Sequence, residues 1–91
     1  MQRFRMLILY EGRVQGVGFR YQTKRLSTGY EVTGTVRNLL GGRVELIAEG
    51  VRKELEEFQT AIRESGLRPL IREEIVTWSK AAEGLRGFNI V

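Results

Sequence analysis

No cysteine, histidine or aspartate occurs in these 91 residues, and proline and tryptophan occur once each. Without cysteine there can be no disulfide, thiolate nucleophile, iron-sulfur cluster or cysteine zinc site. The disulfide framework usual in small secreted domains is missing too, and the cytoplasm is the expected location. Without histidine the usual general base of neutral pH is absent. Every side-chain acid is a glutamate. Chemistry on this chain has to run on arginine, lysine, glutamate, asparagine, hydroxyls and backbone dipoles, which favours positioning and electrostatics over proton relays.

Long apolar runs are lacking as well. Met6-Leu7-Ile8-Leu9-Tyr10 is far shorter than the roughly 20 residues of a spanning helix, and Met1-Gln2-Arg3-Phe4-Arg5 leads into a strand-like run with no signal-peptide pattern. No membrane partner is expected. The length suits one compact domain, residues 1–91, and not two that each bury a core. The net charge of +4 suits anionic ligands, and the preponderance of arginine over lysine suits forked recognition of phosphate or carboxylate. A solvated basic surface has the same composition, so charge alone assigns no site.

What is present is periodic. Arg3 to Glu11 alternates, with Phe4, Met6, Ile8 and Tyr10 on one face and Arg3, Arg5, Leu7, Leu9 and Glu11 on the other, as in a central strand. Gly12 to Gly18 is a glycine-punctuated loop, and Phe19 to Thr28 reads as a helix stopping around Gly29. Tyr30 to Asn38 and Arg43 to Glu49 pair as a hairpin across Leu39-Leu40-Gly41-Gly42. Val51, Leu55, Phe58 and Ile62 mark an amphipathic helix over 51–65, ended by Ser65-Gly66. Residues 67–70 form a connecting loop, Glu73 to Ser79 a strand, and Gly87 to Val91 a short closing strand. The order predicts an α+β, ferredoxin-like sandwich (βαββαβ): an antiparallel sheet with two helices on one face and a short extra C-terminal strand.

Val14-Gln15-Gly16-Val17-Gly18-Phe19-Arg20 stands between the first strand and the first helix. Glycines there let successive amides face one concavity, and the helix N-terminus adds partial positive charge, so the loop can cradle a tetrahedral anion. Arg20 adds a permanently charged fork. The Walker phosphate loop does not fit, because no lysine followed by serine or threonine comes after Gly18. The dinucleotide fingerprint fails because Tyr21 stands where its third glycine belongs. On these grounds alone such a glycine pair between strand and helix is more often only a tight turn than an anion site.

The same heptad resembles the signature of the acylphosphatase family, and Gly34-Thr35-Val36-Arg37-Asn38 resembles the family's second signature at the family's spacing. The resemblance continues through Gly42-Arg43-Val44-Glu45, Glu49-Gly50, Phe58 and Gly87-Phe88-Asn89-Ile90, nearly the whole chain. It implies the ferredoxin-like fold and hydrolysis of acyl phosphates to carboxylate and inorganic phosphate. It further implies a site in which the backbone of Gln15, Gly16, Val17, Gly18 and Phe19, together with Arg20, binds the phosphate and Asn38 orients the attacking water, so that Arg20 and Asn38 are catalytic. Three positions depart from the family pattern: Thr35 replaces the usual tryptophan, Gly41 the aspartate or lysine of the turn, and Ser27 an alanine.

The implied chemistry fits the missing residues. An acyl phosphate expels a carboxylate whose conjugate acid has a pKa of roughly 4, so a general acid is dispensable. No metal or cofactor is expected, nor a nucleic-acid partner, and the protein is expected to act as a monomer. Two other readings remain at this point. One is an acylphosphatase-like domain that binds phosphate but turns over poorly. The other is a basic RNA-binding sheet, although the paired aromatics and the signature of that class are missing from the central strands. Arg37 falls on the opposite face of its strand from Asn38 and stays outside the site. Apart from the resemblance, an asparagine at a strand end before Gly41-Gly42 usually serves turn chemistry, its amide bonding local backbone.

Overall fold

The computed structural model describes residues 1–91. The chain forms β1 (Arg3–Gly12), α1 (Phe19–Ser27), β2 (Thr33–Asn38), β3 (Val44–Val51), α2 (Arg52–Arg63), a 3₁₀ turn (Arg68–Leu70), β4 (Ile71–Lys80) and β5 (Phe88–Ile90). The sheet order is β4-β1-β3-β2-β5. The alternation expected in the first strand is the observed one. Met6, Ile8 and Tyr10 are fully buried, and so are Val44, Leu46 and Ala48, their β3 partners in register. Leu55, Phe58 and Ile62 of α2 and Phe19 of α1 close the core over this face. The opposite face of the sheet carries no helix.

Four strands pair antiparallel, but β5 lies parallel to β2, so the sheet is mixed rather than wholly antiparallel. Topology dictates this. The chain leaves β4 at one edge of the sheet and crosses the sheet end to the other edge. It must then run back against β4, which is the direction of β2. A buried carboxylate holds the crossing segment. Glu49, fully buried on the helix-free face, accepts hydrogen bonds from the amides of Ala82 (2.8 Å) and Glu83 (3.1 Å) and from Arg5 Nε (2.7 Å).

Element boundaries differ from the sequence reading in several places: β4 begins at Ile71 and not at Glu73, β3 runs on to Val51, and two further differences, at β2 and α2, have local reasons. The second strand starts at Thr33 and not at Tyr30. Tyr30 N donates to Ser27 O, Val32 N to Tyr30 O and Glu31 N to the Glu54 carboxylate, so residues 30–32 are spent on a turn. The Tyr30 ring packs on Phe58, with centroids 5.8 Å apart. The second helix is shorter than 51–65 because Val51 still pairs with Arg3 at the end of β3. The loop at 67–70 winds into the 3₁₀ turn around Pro69.

Gly34 is where β2 and β5 meet. A Cβ there would strike the carbonyl oxygen of Ile47 and lie 2.9 Å from the Phe88 ring. The second glycine-containing motif thus opens with a residue whose missing side chain lets β5 close on the sheet and bring Phe88 onto Phe58, centroids 5.6 Å apart.

Candidate functional site

The loop 13–18 leaves the end of β1, where Arg13 N donates to Leu70 O, and enters α1 at Phe19. Gly16 and Gly18 have φ of 74° and 82°, a backbone region that costs other residues strain. A Cβ at either position would meet nothing within 4 Å, so conformation rather than crowding requires glycine there. None of the amides of Gln15, Gly16, Val17 and Gly18 donates to an acceptor elsewhere in the chain. Gly18 is the N-cap of α1, and no side chain caps the helix. A run of free amides therefore leads into an open helix N-terminus, an arrangement that attracts anions.

Phe19 and Tyr10 anchor this loop in the core. Both are buried and their rings lie 4.9 Å apart. Burial pushes the Tyr10 phenol well above its usual pKa, with the Glu74 carboxylate adding to the shift, and its hydroxyl has no hydrogen-bond partner. Arg20 follows Phe19 in the first turn of α1 and is half-buried. Six of the fifteen basic side chains sit in ion pairs; Arg20, like the rest, pairs with no carboxylate. Its guanidinium is uncommitted.

Asn38 ends β2 opposite Val44, which in turn lies opposite Tyr10 of β1. The loop after β1 and the end of β2 are therefore at the same end of the sheet, separated by the width of β3. The two-residue period puts Asn38 on the face of buried Val36 and Gly34, the face that carries the helices. Its side chain is exposed and makes no hydrogen bond within the chain. Arg37 points the other way and binds Glu45 at 2.8 Å. Beyond Asn38 the hairpin closes with Leu39 N to Arg43 O (2.8 Å) and turns through Gly41 and Gly42, both at positive φ.

One contact joins loop and hairpin, made by a side chain to which the resemblance assigns no role. Gln15 Nε2 donates to Leu39 O at 2.8 Å and to Arg43 O at 2.9 Å. Of the three departures from the family pattern, Ser27 is buried with its hydroxyl bonded to Lys24 O. Thr35 lies on the helix-free face opposite Ile47, and Gly41 only shapes the turn. The largest concavity of the surface, about 510 Å³, lies between Tyr30 and α2 and contains none of these residues. The arrangement here is a rim of donors and not a deep pocket.

A family model described as acylphosphatase matches residues 6–90. The chain belongs to the acylphosphatase family. It is 39% identical over 89 residues to an acylphosphatase of Trichormus variabilis, covering 98% of this chain and 87% of that one. Among solved structures it resembles the acylphosphatase of Bacillus subtilis with a TM-score of 0.88 at 36% identity, covering 97% and 98% of the two chains. It also resembles that of Coxiella burnetii with a TM-score of 0.80 at 26% identity, over 99% and 94%. Membership of this family makes the chain an acylphosphatase, a hydrolase of acid anhydrides acting on acyl phosphates.

Proposed function

We propose that the free amides from Gln15 to Phe19 and the guanidinium of Arg20 hold the phosphoryl group of the acyl phosphate, and that the Asn38 amide orients the attacking water, without metal or cofactor. The observation that carries this is the unbroken series of uncommitted donors, four loop amides, an uncapped helix N-terminus and an unpaired arginine. Water attacks phosphorus, the bond from phosphorus to the bridging oxygen breaks, and the carboxylate leaves with that oxygen and the bonding pair. The water's protons pass to phosphate and solvent. The carboxylate leaves unprotonated, so the chain's tasks are to stabilise charge on the phosphoryl oxygens and to place the water in line.

The helix-free face of β1 and β3 bears Leu7, Leu9, Glu45 and Ile47 and no aromatic ring, because Phe4 and Tyr10 face the helices. That composition supports a small-molecule site over a single-stranded RNA platform, which would stack bases on rings. We read residues 1–91 as one catalytic domain, acting as a cytoplasmic monomer. No three carboxylates group as a metal site would require, and no helix is long and apolar enough to cross a membrane. The test is hydrolysis of benzoyl phosphate with and without EDTA. Equal rates with competitive inhibition by inorganic phosphate are expected. Loss of activity in EDTA restored by a divalent cation would overturn the metal-free mechanism.

A further inference from the structure

The two halves of the proposed site grow from strands that do not touch. β3 lies between β1 and β2, and neighbouring strands are spaced by 4.7–4.9 Å, so the cradle loop and the end of β2 start about 10 Å apart. Backbone pairing alone leaves their separation to two flexible segments, a glycine loop and a hairpin tip with two further glycines. In-line attack tolerates little of that freedom.

Gln15 spans the gap. Its amide nitrogen has two hydrogens, and the structure gives each a carbonyl, Leu39 O at 2.8 Å and Arg43 O at 2.9 Å. Both neighbours are acceptors, so the amide orientation is fixed by chemistry. These are also the carbonyls that close the hairpin, since Arg43 O accepts from Leu39 N (2.8 Å) and Leu39 O from Gly42 N (3.3 Å). Asn38 is the residue before Leu39, pairs with Val44 next to Arg43, and has no side-chain bond of its own to hold it. Gln15 therefore grips the frame on which Asn38 is mounted.

We infer that the Gln15 side chain is a positioning residue, which sets the place of Asn38 relative to the Gln15–Arg20 cradle by clamping the hairpin through Leu39 O and Arg43 O. This rests on the roles proposed above for Arg20 and Asn38. The Gln15 backbone belongs to the cradle, whereas the side chain faces the hairpin, so the two contributions can be separated by substitution. Gln15→Leu removes both donors at similar length and leaves the loop backbone and its glycines in place. A displaced water-positioning group affects turnover, whereas ground-state binding of phosphate to amides and Arg20 is spared.

The decisive experiment is a double-mutant cycle on benzoyl phosphate hydrolysis, with Gln15→Leu, Asn38→Ala and the pair, and with phosphate inhibition measured for each. The inference expects Gln15→Leu to lower kcat by on the order of ten- to a hundredfold, with the inhibition constant for phosphate within about twofold of the parent protein. In the Asn38→Ala background the same substitution should cost less than about threefold, because the group it positions is gone. Losses that multiply in the double variant, or phosphate affinity falling in parallel with kcat, would overturn it. Full turnover in Asn38→Ala would instead remove the proposed role of Asn38, and the clamp with it. Should Gln15→Leu fail to fold, Gln15→Asn, one methylene short of the two carbonyls, carries the same comparison.

Discussion

Tyr10 shows how one buried residue serves the site without taking part in it. Its ring fills the core against Phe19, the residue that ties the cradle to α1, while its hydroxyl is buried with no partner. Removing an unpartnered polar atom and keeping the ring relieves desolvation at little packing cost. Tyr10→Phe is therefore expected to unfold at the same or a higher temperature and to keep the parental kcat/KM. Tyr10→Ala should lose about 3–5 kcal/mol in urea denaturation. A clear loss of stability in Tyr10→Phe would mean that the hydroxyl is satisfied. The alternation of β1 groups Tyr10 on one face with Phe4, Met6 and Ile8, the face that is buried. The sequence could not show Gln15 as a link, because the carbonyls the amide meets are 24 and 28 residues away. A polar amide in a loop of glycine and valine was the one available signal, since such a group needs partners wherever it is covered.

Among the elements, those with a regular apolar period were legible because burial follows that period. β1, β3 and α2 bury the residues their patterns pick out, Met6 and Ile8, Leu46 and Ala48, Leu55 and Phe58. β5 was legible as a strand but not in its direction, which three residues cannot encode and the crossing from the far edge decides. The start of β2 was misplaced because Tyr30 and Val32 look like strand residues, whereas their backbones are used by a turn and Tyr30's ring by Phe58. Gly34 ties β2 to β5 by close approach, so a methyl group there has to push apart the Ile47 carbonyl and the Phe88 ring. Gly34→Ala should cost on the order of 3 kcal/mol by urea titration, at the upper end of overpacking penalties. Hydrogen exchange should show the amide of Val91, which bonds to Val36 O, losing protection first. Wild-type stability in Gly34→Ala would show that β5 can shift freely.

Over the whole molecule, one charge fastens the segment that crosses the sheet. Glu49 pays a desolvation penalty for its burial, but the amide of Ala82, the Arg5 guanidinium and the amide of Glu83 outweigh it and hold the carboxyl below its usual value. A carboxyl whose pKa is lower folded than unfolded contributes stability that is complete above the unfolded value, about 4.3. That contribution is lost as pH falls through the folded value. Stability should be flat from pH 7 to about 5 and decline below about 4. Glu49→Gln should flatten that decline and cost on the order of 3 kcal/mol at pH 7, because Arg5 and two amides lose their anion. An unchanged acid limb in Glu49→Gln would place the pH dependence elsewhere. The two-residue period of β3 puts Glu49 on the same face as Glu45, away from buried Leu46 and Ala48, and nothing in the local pattern shows that residues 81–83 cover it.

The central claim is that the donors from Gln15 to Arg20 bind phosphate while Asn38 serves only the water, and it divides two variants by phosphate titration during benzoyl phosphate hydrolysis. Arg20→Gln removes a charge that acts on bound substrate and transition state alike, so both kcat and inhibition by phosphate should weaken. Asn38→Ala should lose turnover by on the order of a hundredfold, as when an oriented polar group is removed from a reacting centre, with phosphate inhibition close to that of the parent protein. Near-normal turnover in Asn38→Ala, or a loss of phosphate binding as large as that of Arg20→Gln, would contradict the division of roles.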